Sequence, residues 1–152
     1  MRTRAGIVLI KENRVALIER HRAGLDYFVF PGGGVDEGES PEQAAIREAM
    51  EELGIEIAIK QKVVEIQLGP KSRQIYYLVE QTGGEFGSGA GEEYTDADPD
   101  SPEEGIYIPV WMPIDELVLH QNIYPVAVVE LVLKSINDGW DKIAMSVYEK
   151  PK

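Results

Sequence analysis

"GGGVDEGESPEQAAIREAMEELGI", running from Gly32 to Ile55, is the stretch on which the reading of this chain turns. Ser40-Pro41-Glu42-Gln43 has the form of a helix start: a hydroxyl cap, proline in the first turn, and a glutamine placed to reach back to the cap. Gly54 stands where a helix would stop. Near that end Glu48, Glu51 and Glu52 crowd together, where the backbone dipole already disfavours negative charge. Glu48 and Glu52 form an i, i+4 like-charge pair costing about 0.2–0.5 kcal/mol, and the helix end adds roughly 0.3–1 kcal/mol per charge. No lysine on the helix offsets them.

A wheel gives the helix two faces. With Arg47 at zero, Glu51 falls at about 40°, Glu48 at about 100° and Glu52 at about 140°, while Ile46, Met50 and Leu53 fall at about 260°, 300° and 240°. The expectation is that Ile46, Met50 and Leu53 enter a core and the carboxylates face away from it. Ala44 and Ala45 lie on the carboxylate side, small enough to let another part of the chain, or a ligand, come close. Hard divalent cations turn the crowding into a use, because Mg²⁺ and Mn²⁺ prefer oxygen ligands on a rigid element that leaves room for water and phosphate. The preceding glycines permit close backbone approach, so a Gly32 or Gly33 carbonyl or amide is a further candidate to meet a metal or a phosphate.

Outward from this stretch, Thr3 to Ile10 and Arg14 to Glu19 read as a hairpin closed by "KENR". "DYFVF" is a third strand, and Ile55 to Leu68 and Arg73 to Glu80 are further strands separated by "GPKS". "GIYIPVW" and "KIAMSVYE" are further strands; a second helix runs from about Tyr124 to Asn137 and a short one from Pro113 to Val118. Gly83 to Gly105 is rich in glycine and acid and reads as a long loop. Mixed strands and helices with an early antiparallel hairpin predict an α/β sandwich in one domain over residues 1–152.

Fifteen basic against 27 acidic residues leave a net charge of −12, which opposes a bare electrostatic hold on a nucleic-acid polymer or an anionic membrane. A small polyanion would need cations as escorts. The absence of cysteine excludes disulfides and thiolate metal sites, and with no apolar run long enough to span a bilayer the expected setting is cytoplasmic. "DADPDS" at Asp96 imitates a calcium loop but has Ser101 and Tyr107 where glycine and glutamate are needed. Neither a G-x-x-x-x-G-K-[ST] loop nor a G-x-S-x-G elbow occurs.

Gly33, five residues, Glu39, seven residues, then Arg47-Glu48-Ala49-Met50-Glu51-Glu52-Leu53-Gly54-Ile55 resembles the Nudix box, G-x5-E-x7-R-E-U-x-E-E-x-G-U with U bulky and apolar. Ala49 at a U position is the one departure. "FVFPGG" before the box and "VWMPIDEL" late in the chain resemble common Nudix flanks. The resemblance implies a mixed sheet between helices with the box as loop-helix-loop. It also implies hydrolysis of a nucleoside diphosphate linked to another moiety, with Mg²⁺ or Mn²⁺ activating the water.

By that resemblance Glu48, Glu51 and Glu52 carry the metal, with the Gly32 or Gly33 carbonyl completing its shell. Arg47 orients the glutamates with Glu39 as its partner, and Glu48 is the first choice of base over Glu92, Glu93, Glu103 or Glu104. Arg4, Arg20 and Arg22 are candidates to clamp a substrate phosphate, and Tyr27 or Phe28 to stack on a base. The expected partner is a small nucleotide, bound by a monomer or homodimer. The alternative is a Nudix-like module that binds a nucleotide without turning it over.

Overall fold

The computed structural model describes residues 1–89 and 106–150. Two long strands, β1 (Arg2–Lys11) and β2 (Arg14–Arg22), form the expected hairpin, turning through Glu12 and Asn13 at φ 54° and 61°. β3 (Leu25–Val29) returns along β2, and β4 (Gly32–Gly34), β5 (Ile55–Leu68), β6 (Ser72–Gly84), β7 (Ile106–Pro113), β8 (Ile123–Tyr124) and β9 (Met145–Glu149) complete the described strands. They join in the order β8-β3-β2-β1-β6-β5-β9, with β4 on β1 and β7 on β2. The sheet is mixed: β1 with β6, β3 with β8 and β5 with β9 run parallel, and the other pairs antiparallel.

Helix α1 (Pro41–Leu53) covers one part of this sheet and α2 (Val126–Asp138) another, each over its own apolar cluster. Val128, Leu131 and Val132 of α2 meet Val8, Leu17, Phe30 and Tyr76, as their helical spacing requires. The result is the expected mixed α/β layering. Several boundaries move. Tyr124 pairs with Val29, so α2 starts two residues later, and the short helix is a 3₁₀ segment, Ile114–Leu119. β6 runs on to Gly84, and β9 begins only at Met145.

The face of α1 corrects the wheel. Ala44, Ala45, Ala49 and Leu53 are buried, whereas Ile46 and Met50 are 42% and 43% exposed. Glu48 and Glu52 therefore lie in the angular middle of the face turned toward the sheet, on a helix whose alanines let it settle close. Leu53 is buried as the wheel expects, but around it the small alanines, and not Ile46 or Met50, fill the inward face and let the helix backbone approach β1 and β4 with the carboxylates between.

Candidate active site

Every cap read from the sequence forms. Ser40 Oγ accepts from the Gln43 amide at 3.1 Å, and the Gln43 side chain accepts from the Ser40 amide at 2.9 Å. At the other end Gly54 takes the left-handed conformation, φ 76°, and its amide donates to Met50. The chain leaving β6 then closes over this end: Gly87 donates its amide to the Leu53 carbonyl at 2.9 Å, and Ser88 Oγ to Gly54 O at 3.4 Å. Backbone and hydroxyl donors thus answer the helix-end carbonyls in place of a basic side chain.

β4 brings the glycines in front of α1 by pairing Gly32, Gly33 and Gly34 with Gly6, Ala5 and Arg4. The Gly32 amide donates to Glu52 Oε1 at 2.7 Å. At Gly33 the fit is tighter still, since any Cβ there would collide with the Glu48 carboxylate. The three-residue strand was not anticipated from the sequence, where the glycines read only as a place of close backbone approach.

Arg47 binds the loop and the acids into one network. Its Nε donates to Glu39 Oε2 at 2.9 Å and its Nη2 to Glu39 Oε1 at 3.0 Å; Nη2 also reaches Gly34 O at 2.9 Å. Nη1 serves Glu48 at 2.8 Å and Glu51 at 3.3 Å. The fork holds the Glu39 carboxyl down at about 2, with the Asp36 amide assisting, and Glu39 in turn holds the guanidinium well above its ordinary range. Glu48 is different: burial raises its pKa, against the Arg47 and Arg4 charges that favour the ionised form.

Beside the box opens a cleft of about 400 Å³, with Gly34 on its wall. Arg2, Arg4 and Arg20 line it together with Tyr27, Tyr76 and Tyr124, and no acidic side chain is among the described lining residues. In a chain of charge −12 this is a local reversal of sign. Arg4 acts electrostatically on both Glu48 and the Tyr76 hydroxyl, which places it at the junction of cleft and box.

Of the arginines proposed from sequence, Arg4 and Arg20 reach the cleft; Arg22 does not, being exposed at the end of β2 opposite Leu25. Tyr27 lines the cleft, but Phe28 packs against the α2-side core. Arg2, Gln74, Tyr76 and Tyr124 are additions. Strand alternation from Arg4 pointed to Arg2; nothing local pointed to the other three, which distant strands bring in. Glu92, Glu93, Glu103, Glu104 and the Asp96 stretch lie outside the described residues.

The model of the NUDIX domain matches residues 1–128. The chain belongs to the NUDIX family. Among curated relatives, this NUDIX chain is 40% identical over 57 residues to an 8-oxo-dGTP diphosphatase of Proteus vulgaris, covering 35% of this chain and 49% of that protein. It is 48% identical over 54 residues to an RNA pyrophosphohydrolase of Tolumonas auensis, covering 36% and 30%. The match therefore spans less than half the length of either relative.

Solved structures agree in fold over nearly the whole chain. A NUDIX hydrolase from Nitrosomonas europaea superposes with a TM-score of 0.70 at 14% identity, over 98% of this chain and 78% of that one. An ADP-ribose pyrophosphatase from Streptococcus suis gives 0.64 at 17%, over 97% and 98%. NUDIX hydrolases generally use divalent cations. The donors here are hard oxygens of the kind Mg²⁺ and Mn²⁺ take, yet among the described residues no three acidic or imidazole groups form a ready-made cation cluster. Arg47 and the Gly32 amide occupy carboxylate oxygens instead. The oxygens that this chemistry offers a divalent cation are thus shared with Arg47 and the Gly32 amide. No described helix is long and apolar enough to cross a membrane.

Proposed function

We propose that this NUDIX chain is a divalent-metal-dependent pyrophosphohydrolase, cleaving a nucleoside diphosphate linked to another moiety by attack of water on phosphorus. The observation that carries the reading is the junction of two opposite fields: half-buried and exposed glutamates on α1, and an arginine-lined cleft opening beside them at Gly34. Glu48, Glu51 and Glu52, with the Gly32 carbonyl, would hold the Mg²⁺ or Mn²⁺. Bound there, the cation lowers the pKa of its water and offsets charge gathering on the phosphate oxygens.

The chain's own residues do the rest. Glu48, held between Gly33 and Arg47, would take the proton of the attacking water. Arg47 and Glu39 keep the glutamates in register, and Arg2 and Arg4 receive the phosphates on the cleft side. Purified protein incubated with a panel of nucleoside triphosphates and nucleotide diphosphate derivatives, with Mg²⁺ and then with EDTA, tests the reading. Metal-dependent release of a nucleotide monophosphate or of pyrophosphate is the expected result; metal-independent turnover, or tight binding with no product, overturns it in favour of a different chemistry or of a binding module.

A further inference from the structure

Arg20 sits in the middle of three strands. β2 is flanked by β3 and β7, and the register sets Tyr27 on one side of Arg20 and Tyr107 on the other. Its guanidinium lies over the Tyr107 ring at 3.8 Å and near the Tyr27 ring at 5.7 Å. The rings satisfy the flat face of the cation. They do nothing for its edge: Arg20 Nε and Nη2 are buried, and neither has a hydrogen-bond partner among the described residues.

Those two nitrogens are the side-on pair, which present parallel N–H donors to two neighbouring acceptors. A buried donor left without an acceptor is costly, and two on one edge of one side chain in a ligand-sized cleft mark a place where the acceptors arrive with the ligand. Paired acceptors come from two sources, the oxygens of a phosphate or the O6 and N7 of a guanine. The surroundings choose between them. A base gripped edge-on by the guanidinium lies in the same plane, so it continues the stack that Tyr107 and Tyr27 already make; a tetrahedral phosphate has no face to offer them.

The geometry points to Arg20 as the specificity-determining residue of this cleft, selecting a nucleotide whose base presents the guanine O6/N7 acceptor pair. This rests on the nucleotide-hydrolase reading above and adds to it the identity of the base. Adenine fails because its N6 amino group is a donor where O6 is needed. An 8-oxo-guanine fails as well, since its N7 carries a proton; on this point the chain parts from the function named for its Proteus relative.

Monophosphates test the inference apart from catalysis, because they contain no anhydride to cleave. Binding of GMP, 7-deaza-GMP, 8-oxo-GMP and AMP to the wild-type chain is measured by calorimetry. GMP should bind about tenfold to a hundredfold more tightly than the other three. Arg20→Lys, checked for folding by its thermal melt, should bring GMP down to the level of AMP, and should the variant unfold, the wild-type series decides alone. Equal binding of GMP and 7-deaza-GMP would assign the fork to a phosphate and overturn the inference, as would AMP binding as well as GMP. Loss of hydrolysis with the GMP preference intact would count against the catalytic reading only.

Discussion

Arg47 and Glu39 are joined at two points, Nε to Oε2 at 2.9 Å and Nη2 to Oε1 at 3.0 Å, across the whole loop that leads into α1. The same guanidinium holds Glu48, so the loop and the carboxylates proposed to hold the metal are positioned by one side chain. Glu39→Gln keeps the size and breaks the charge-assisted fork. Its kcat should fall about 10- to 100-fold, the usual effect of losing a residue that orients a metal ligand.

That fork also sets a pH dependence. Glu39 has its carboxyl depressed from 4.5 to about 2 in the folded chain. A depressed acid stabilises the fold above its unfolded pKa, and the contribution disappears as pH falls through the folded value. The gap in melting temperature between wild type and Glu39→Gln should therefore be constant above about pH 5, narrow below it, and close near pH 2. A gap that widens in acid would contradict the assignment.

Glu52→Gln separates fold from chemistry. The amide oxygen of glutamine can still accept from the Gly32 amide, so the bond that ties β4 to α1 survives. The thermal melt should be close to that of wild type, while kcat falls by more than about a hundredfold, beyond the cost of an outer-shell change.

Neighbouring glycines should respond in opposite ways. A Cβ at Gly33 meets the end of the Glu48 side chain, which can turn aside by loosening its bond to Arg47, so Gly33→Ala should cost about 1 kcal/mol of stability but much of the activity. A Cβ at Gly32 meets the backbone of Ala5 and Gly6, which cannot step aside, and Gly32→Ala should cost roughly 1–3 kcal/mol in urea denaturation.

The orientation of α1 is open to the same measurement. Ala45→Leu and Ala49→Leu overfill the buried face and should destabilise by about 1–3 kcal/mol. Met50→Gln, on a half-exposed position, should lie within about 0.5 kcal/mol of wild type. The reverse result would restore the face expected from the wheel.

The contrast between box and cleft explains what could be read in advance. Ser40, Gln43 and Gly54 act on residues three or four away, so the caps were legible from spacing, while the ties of Arg47 to Glu39 and Glu48 were legible through the resemblance to the Nudix box. The inward face of α1 was misread because hydrophobicity weights Ile46 and Met50 above alanine, while close helix–sheet contact rewards the smaller side chain. Tyr76 and Tyr124 are carried by strands far apart in the chain, and no local pattern specifies such a meeting. β4 was hidden because three glycines have no alternation to display.

The stack of Tyr27, Arg20 and Tyr107 stands on β2 and its neighbours, while the glutamates stand on a helix with its own caps and its own loop. On the proposed reading, selectivity and reactivity therefore stand on separate pieces of the scaffold. On that reading, an exchange at Arg20 alone would alter the choice of base and leave the carboxylates of α1 in place.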